Sequence, residues 1–287
     1  MRAVVITGTS TGIGRACALT LDRMGLRVFA GVRRAEDGEQ LRAAASPSLT
    51  PVLVDITDEA SIRRARDLVA ERVDGAGLAG LVNNAGTTVP WPAEYLPLDV
   101  FRDQLEINLT GHLAVTQAFL PLLRSARGRI VNISSVGGKV GGPFMAGYSA
   151  AKHGLEGLSD TLRLELAGLG IRVSVVEPGF VSTAMRGKLL RDTQATLRSL
   201  PADGRQRYGR ELERVASNVD REAAHGSPPE VVARAVAHAL TSRRPRVRYG
   251  AGAGAKRLLF LRRVLPDRWM DRALLHAVGM TARAGAA

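Results

Sequence analysis

Several features of secreted, membrane-spanning and metal-binding proteins are scarce or missing in this sequence of 287 residues. Cysteine occurs once, at Cys17, so no internal disulfide can form and a reducing compartment is indicated. No apolar run approaches the roughly 20 residues of a spanning helix. The N-terminus enters an apolar strand at residues 3–7 without the charged and apolar regions of a secretory signal. We therefore expect a cytoplasmic protein that contacts membranes at most peripherally.

Metal-ligand patterns are also missing. The five histidines show no ligand spacing, so we expect no metal site and treat them as packing or surface residues: His112, His153, His225, His238 and His276. Hydrophobic residues make up 45% of the sequence, which is typical of a globular protein rather than a disordered or membrane protein. A chain of this length forms either one large α/β domain or two small ones.

Positive charge is concentrated near the C-terminus. The formal net charge is +13, and residues 241–287 contain eleven basic residues against two acidic ones. A basic excess can indicate binding to nucleic acid. Because most of the excess lies in one tail, we do not expect nucleic acid to be the partner. Residues 251–287 mix basic and apolar side chains, so this tail could lie on an anionic membrane surface, roof an apolar pocket, or pack on its own or a neighbouring subunit.

Short apolar runs alternate with helical segments along residues 1–250, as in an α/β fold. The first run, residues 4–6, is followed by a glycine-rich turn and a helical segment at 15–24. Glycines allow a tight turn close to a pyrophosphate, whose charge is met by backbone amides and the positive end of the helix. The turn therefore predicts a phosphate site formed by Gly8, Thr9, Ser10, Gly12, Ile13 and Gly14.

The second strand, at residues 27–32, ends without an acidic residue. In NAD-binding proteins of this kind a carboxylate commonly holds the ribose hydroxyls there, but this chain has Val32 followed by Arg33 and Arg34. A guanidinium can form paired hydrogen bonds with a 2′-phosphate, which a carboxylate would repel. We therefore favour NADP(H) over NAD(H), the alternative being that both arginines only solvate a loop.

Two further strand ends carry polar or small residues. Asp55 follows a strand at 51–54 and either meets an adenine or serves as a turn residue. Asn83, Ala85 and Gly86 follow the strand at 81–82, where small residues allow a ligand to approach, although adjacent asparagines also satisfy turn backbone. Because ligands bind at the carboxyl ends of parallel strands, the position favours a binding role.

Ser135 and the pair Tyr148 and Lys152 form the most specific chemical pattern. Ser135 follows the apolar run at 130–133 that predicts a buried strand, and Tyr148 and Lys152 lie one helical turn apart. A lysine about 4 Å from a tyrosine could supply the roughly 4 kcal/mol needed to hold it anionic near neutral pH. The pair alone is also consistent with a solvated helix surface. Asn108, inside a helical pattern, indicates a kink or a polar task.

In their joint order these motifs resemble the short-chain dehydrogenase/reductase family, in its single-domain branch. The resemblance covers roughly residues 3–185 and includes the glycine turn, residues 83–86, Asn108, Ser135, Tyr148, Lys152, Pro178, Gly179 and Thr183. It implies a single Rossmann-type domain, a doubly wound parallel sheet flanked by helices. The residues after Ser135, the strand near 246–249 and the tail look most like the retinol and hydroxysteroid dehydrogenase group.

The resemblance implies an oxidoreductase that interconverts a hydrophobic alcohol and its ketone or aldehyde. By similarity, Tyr148 would be the general acid/base and Ser135 would position the substrate oxygen. Lys152 would lower the pKa of Tyr148 and, with Tyr148, bind the nicotinamide ribose, while Asn108 would hold a water beside Lys152. The carboxamide segment would comprise Pro178, Gly179, Val181 and Thr183, and the protein would form a homodimer or homotetramer.

Residues 184–227, rich in Leu, Arg and Gln, predict a helical lid over the substrate site within the domain at 1–250. Thr11 stands where one NADP pattern has a basic residue, which leaves Arg33 carrying most of the NADP argument. The alternative function is a non-enzymatic NADP sensor or a nucleic-acid binder that uses the basic tail.

Overall fold

Seven parallel strands form one sheet in the order β3-β2-β1-β4-β5-β6-β7. The computed structural model describes residues 1–183 and 185–280. The chain order reverses between β1 and β4, so the sheet is doubly wound around that point. The strands are β1 (Ala3–Ile6), β2 (Arg27–Val32), β3 (Leu49–Leu53), β4 (Gly80–Asn83), β5 (Arg129–Ile133), β6 (Arg172–Pro178) and β7 (Arg248–Ala251).

Helices cover both faces of the sheet, because successive strand side chains point in opposite directions. Val4 and Ile6 of β1 pack with one helical layer, whereas Val5 packs with the other. The helices are α1 (Gly12–Arg23), α2 (Ala35–Arg42), α3 (Glu59–Val73), α4 (Leu98–Leu105), α5 (Gly111–Ser125), α6 (Ala146–Glu165), α7 (Met185–Ser199), α8 (Ala202–Ala224), α9 (Glu230–Thr241), α10 (Ala255–Val264) and α11 (Asp267–Ala277).

The two layers contain different helices. Buried side chains of α1 and α9 form a core on one face of the sheet, and those of α3 and α5 form a core on the other. Cys17 of α1 is fully buried in the first core, and burial raises the pKa of its thiol to about 12.

The predicted fold class is confirmed, including the helical character of residues 185–199 and 202–224. Differences occur at element ends. Helix α1 begins at Gly12 rather than at residue 15, since the glycine-rich turn already belongs to its first turn. The last strand begins at Arg248, two residues later than predicted. Helix α2 had no counterpart in the predicted elements.

The segment α7 to α8 lies over one end of the domain and is anchored to the loop that precedes α4. Leu197, Leu200 and Leu212 pack around Trp91. Tyr208 and Arg207 of α8 both bond the carboxylate of Glu94, at 2.7 and 2.5 Å. This anchoring holds the two helices on the domain beside the carboxyl ends of the strands.

The tail folds into α10 and α11, and its first residues pack on β6 and β7. Ala255 is fully buried, and Phe180 donates from its backbone amide to the Ala253 carbonyl at 3.0 Å, so the residues just after 250 pack on the sheet. Arg283 and the rest of residues 281–287 lie outside the described part of the chain. Among the described helices, none has both the length and the apolar character that crossing a bilayer requires.

Candidate active site

A cavity of ≈ 890 Å³ opens at the carboxyl ends of the strands and brings most of the predicted site residues together. The polypeptide segments that follow β1 to β6 all contribute to its wall, as the doubly wound topology requires. The predicted residues in that wall are Gly8, Ser10, Gly12, Ile13, Gly14, Arg33, Arg34, Asp55, Ala85, Gly86, Asn108, Ser135, Tyr148, Lys152, Pro178, Gly179, Val181 and Thr183.

The glycine turn leaves no space for side chains. Gly8 has φ +68°, and a Cβ there would lie 2.7 Å from Cα of Ala85. A Cβ at Gly12, where φ is +57°, would lie 3.2 Å from Thr183. Helix α1 begins here without a side-chain cap from Thr11. An uncapped helix start beside bare backbone in an open cavity fits the pyrophosphate of a dinucleotide.

Thr9 and Asn83, which were also predicted to bind the cofactor, do not line the cavity. The Thr9 hydroxyl is buried and donates to the Gly31 carbonyl at 3.0 Å. Asn83 is 1% exposed and donates from Nδ2 to Thr116 Oγ1 and to Asn132 Oδ1, both at 2.9 Å. Both side chains therefore fix the scaffold beneath the site.

Asn84 is a site residue that the sequence reasoning missed. Its Nδ2 donates to the carbonyls of Thr7 and Gly8, both at 2.9 Å, so it ties the end of β4 to the glycine turn. The alternation of strand side chains could have identified it. Asn83 points to the same face as Leu81, toward α5, and the next residue turns the other way.

The two arginines after β2 have different surroundings. Arg34 makes a paired contact with Asp37, at 3.0 Å to each carboxylate oxygen. Arg33 lies near Asp55, whose pKa is lowered mainly by the Thr57 backbone hydrogen bond, with the charge of Arg33 as a smaller cause. Asp55 thus stabilises a turn, because its Oδ1 accepts a hydrogen bond from the Thr57 amide, and it also lines the cavity.

Ser135 and Tyr148 lie on either side of Gly137, where a Cβ would lie 3.3 Å from Ser135 Oγ and 3.1 Å from Tyr148 Cε1. Ser135 ends the chain segment after β5 and begins a 3₁₀ turn at Val136–Gly138, where its Oγ accepts from the Gly137 amide at 3.0 Å. Tyr148 lies in the first turn of α6. Burial raises the pKa of Tyr148 above its ordinary value, while its hydrogen bond with Ser135 acts to lower it.

Lys152 lies one turn after Tyr148 and is 4% exposed. Its Nζ donates to the Ile133 carbonyl at 2.8 Å and lies 5.9 Å from the centre of the Tyr148 ring. Burial lowers the pKa of Lys152 to about 8, and the charge of Glu156 opposes that shift. Burial is the largest cause of the raised Tyr148 pKa, and Lys152, whose ammonium donates to the Ile133 carbonyl, is not among the causes that lower it, so the expected net lowering by Lys152 is not found.

Asn108 lies in a π-helical turn, Glu106–Thr110, which confirms the predicted irregularity. Its buried side chain donates to the carbonyls of Thr87 and Gln104 at 2.9 and 2.8 Å. A Cβ at Gly86 would lie 2.9 Å from Asn108 Oδ1 and 3.8 Å from Lys152 Nζ. Glycine at position 86 therefore leaves room for the Asn108 side chain, and the same position lies close to Lys152 Nζ.

His112 supports the site from beneath, a role that the sequence did not indicate. It was predicted to be a packing or surface residue, and its Nε2 lies 2.7 Å from the Ala85 carbonyl oxygen. Burial, together with the nearby charge of Lys152, lowers the pKa of His112 to about 3. The ring is therefore neutral, donates from Nε2 and holds the backbone beside Gly86 without adding charge to the site.

Comparison with known proteins agrees with this geometry. The family model described as short chain dehydrogenase matches residues 2–194. Retinol dehydrogenase 5 of Homo sapiens is 40% identical over 287 residues, covering 98% of this chain and 90% of the relative. The 17-beta-hydroxysteroid dehydrogenase type 6 of Bos taurus is 40% identical over 258 residues, covering 88% of this chain and 81% of the relative.

A solved structure shares the architecture. The crystal structure of a short chain dehydrogenase from Burkholderia cenocepacia J2315 in complex with NADP superimposes with a TM-score of 0.71 at 26% identity, covering 96% of this chain and 99% of that one. The similarity therefore extends along nearly the whole of both chains.

Proposed function

The chain belongs to the short-chain dehydrogenase family, which makes it an oxidoreductase of alcohol and carbonyl groups, and from that membership we propose an NADP(H)-dependent enzyme for hydrophobic substrates. The substrate pair is a hydrophobic alcohol and its ketone or aldehyde, of steroid, retinoid or other lipid-like type. One observation carries the proposal. Ser135, Tyr148 and Lys152 line the same cavity as the glycine turn and the uncapped start of α1.

The dinucleotide is held by the chain's own backbone and by a few side chains. The glycine turn and the start of α1 take the pyrophosphate, Arg33 and Asp55 flank the adenosine end, and residues 178–183 border the carboxamide. When bound, the nicotinamide ring supplies or accepts the hydride.

Tyr148 exchanges the proton that balances the hydride. In alcohol oxidation its phenolate takes the hydroxyl proton, and in carbonyl reduction its phenol donates a proton to the substrate oxygen. Ser135, which lies beside Tyr148 across Gly137, orients that oxygen. The Lys152 ammonium, one helical turn after Tyr148, would stabilise the phenolate against the burial that raises the pKa of Tyr148. Asn108 holds the backbone of Thr87 through two hydrogen bonds. We place beside it the water that would pass protons between Lys152 and bulk solvent.

The substrate class follows from similarity. Two matched relatives are named as a retinol dehydrogenase and a hydroxysteroid dehydrogenase. In this chain α7 and α8 are anchored to the domain through an apolar cluster around Trp91. The α7 side chains in the cavity wall are Met185, Lys188 and Arg191, so the lid covers the site while the apolar substrate class is drawn from the relatives.

A substrate panel tests the proposal. Purified protein is mixed with NADP+ or NAD+ and a set of retinoid, steroid and short-chain alcohols, and reduced nicotinamide is followed at 340 nm. Carbonyl partners with NADPH are assayed in the reverse direction. Turnover of lipid-like alcohols above short-chain ones supports the proposal, and the absence of hydride transfer across the whole panel refutes it.

The NADP preference is tested by Arg33→Asp. A charge-assisted arginine contact to the 2′-phosphate should give the wild type a preference for NADP+, and the variant should weaken NADP+ binding by about 10- to 100-fold while NAD+ binding holds or improves. Arg42→Asp is the matched control, because Arg42 is an exposed arginine of α2 that does not line the cavity. Equal affinities for the two dinucleotides in the wild type would remove the argument for NADP.

The tail is the second place where we propose a contact, with an anionic lipid surface. Phe260, Val264 and Trp269 on α10 and α11 are 63%, 53% and 60% exposed, and basic residues surround them. Apolar and cationic side chains on one exposed surface suit peripheral binding to anionic membranes.

Phe260→Glu combined with Trp269→Glu should abolish co-sedimentation with vesicles that contain anionic lipid. Leu98→Glu is the control, because Leu98 is 64% exposed on a different helix. Unchanged sedimentation of the double variant would show that these side chains do not contact lipid.

Two further proposals concern assembly and the alternative function. We propose a homodimer or homotetramer that pairs through α5 and α6, as the family resemblance implies, and a cytoplasmic location. The alternative of a non-enzymatic sensor or nucleic-acid binder gains no support from the matched relatives, which are named as dehydrogenases.

A further inference from the structure

A second cavity, of ≈ 540 Å³, lies further along α6 than Lys152 and is bordered by a group of charged side chains. We call these residues the Glu156 cluster: Lys139, Glu156, Asp160, Glu177 and Arg248. Glu156 is 4% exposed and Glu177 is 3% exposed. Buried carboxylates are costly unless they are paired, so this arrangement calls for a physical reason.

Glu156 is the centre of the cluster. Its Oε2 accepts from Lys139 Nζ at 2.8 Å and from Arg248 Nε at 3.0 Å. Arg248 also bonds Asp160 through Nη2 at 2.8 Å. One oxygen of Glu156 thus forms salt bridges with two cationic side chains, one from the loop after β5 and one from strand β7.

The loop that supplies Lys139 is the one that carries Ser135. The 3₁₀ turn Val136–Gly138 packs so closely on α6 that a Cβ at Gly138 would lie 2.9 Å from the Lys152 carbonyl and 3.2 Å from Glu156 Cγ. At Gly137 a Cβ would lie 3.1 Å from Cε1 of Tyr148. The salt bridge from Lys139 to Glu156 therefore closes a turn that joins Ser135 to the helix of Tyr148 and Lys152.

We propose that Glu156 is a positioning residue for the proton-transfer site: held by Lys139 and Arg248, it locks the turn that carries Ser135 onto α6 and places a negative charge behind Lys152. Glu156 acts through Ser135 and Lys152 and does not line the active-site cavity. This role rests on the proposed hydride transfer.

The electrostatic part of the role is supported by the groups that face Lys152 and Glu156. Lys152 faces Tyr148 from its own helix and His112 from α5, and neither carries charge at neutral pH, whereas Glu156 favours the ammonium. The charged groups next to Glu156 are Lys139, Arg248 and Asp160. Further titratable groups line the same cavity: His153, Arg262 and Arg263. Burial, together with Glu156, raises the pKa of Glu177 to about 7, so this second carboxyl is only partly ionised near neutral pH.

Removal of the Glu156 charge should lower the pKa of Lys152 further below its present value of about 8. The ammonium is then lost at lower pH, so the alkaline limb of the kcat profile should move to lower pH. Because Glu177 ionises more readily without Glu156, it replaces part of the charge in a single variant. The double variant Glu156→Gln/Glu177→Gln should therefore show the larger displacement.

The experiment measures kcat against pH, the Kd for NADPH by fluorescence, and thermal unfolding. Glu156→Gln should lower kcat by about 10- to 100-fold, the range expected when a catalytic group is misplaced by a fraction of an ångström to 1 Å. The Kd for NADPH should stay within about 2-fold, since the cluster lies outside the cofactor wall. Lys139→Gln should lower kcat similarly, and Lys139→Arg should restore it. Glu165→Gln, an exposed position on the same helix, is the control.

A Glu156→Gln enzyme with the wild-type kcat and alkaline limb would overturn the proposal. So would a loss of kcat that is equal at every pH in the single and the double variant, since a merely structural residue behaves in that way. A wild type without hydride transfer on any substrate contradicts the proposed function instead. The Lys139 and Glu156 coupling measured in a thermal double-mutant cycle still tests the lock in that case.

Discussion

Tyr148→Phe is expected to reduce kcat by about 100- to 10,000-fold, the usual contribution of a positioned general acid/base. Phenylalanine keeps the ring that packs on Gly137 but removes the one phenol among the described residues of the cavity wall, so neither direction of hydride transfer retains its proton partner. Steady-state rates at 340 nm with the best substrate of the panel measure the effect. The Kd for NADPH should change only a few-fold, because most of the dinucleotide contacts lie elsewhere.

Tyr249→Phe is the matched control. Its hydroxyl accepts from the Arg246 amide at 2.8 Å and lies 2.9 Å from His238 Nδ1, behind the sheet. Its loss should cost about 1 kcal/mol of stability and leave kcat unchanged. Equal turnover by Tyr148→Phe and the wild type would refute the role assigned to Tyr148.

Gly14→Ala should be the most damaging change in the cofactor half of the site. A Cβ there would lie 2.1 Å from the Gly8 carbonyl oxygen and 2.4 Å from Asn84 Nδ2. Both contacts involve groups that fix the glycine turn, so α1 must move away from β1. We expect a loss of about 3 kcal/mol of unfolding free energy and of measurable dinucleotide binding.

Gly157→Ala makes the same chemical change in α6, where a Cβ meets nothing within 4 Å. It should stabilise the protein by roughly 0.5–1 kcal/mol, since alanine is the better helix former. Thermal unfolding and dinucleotide fluorescence compare the pair. If both variants bound NADPH like the wild type, the close packing of the glycine turn would not be required for the cofactor.

The sheet and the meeting of Tyr148 with Lys152 were predictable because their signals are local. The strand Arg27–Val32 has the predicted bounds, since a run of apolar residues between polar ones marks a buried strand. Tyr148 and Lys152 are four residues apart on one helix, so their meeting in one cavity follows from helical geometry.

Other features depend on contacts between distant parts of the chain. Thr9 and Asn83 carry polar groups at strand ends, as ligand-binding residues do, but neighbouring strands and α5 bury them. The position of His112 near Ala85 depends on the π-helical turn before α5. The Glu156 cluster joins residues from 139 to 248, and no sequence spacing predicts that meeting.

The wall opposite the glycine turn has a practical consequence for shortened forms of the protein. Gly179 donates from its backbone to Ala251 at 2.9 Å, Phe180 donates to Ala253 at 3.0 Å, and a Cβ on Gly179 would lie 2.2 Å from the Ala253 carbonyl oxygen. A cut after residue 250 would thus remove the tail and also the carbonyl groups that accept hydrogen bonds from Gly179 and Phe180. Deletions that aim to separate catalysis from surface attachment should retain residues through Ala255, and outward-facing substitutions on α10 and α11 separate the two properties more cleanly.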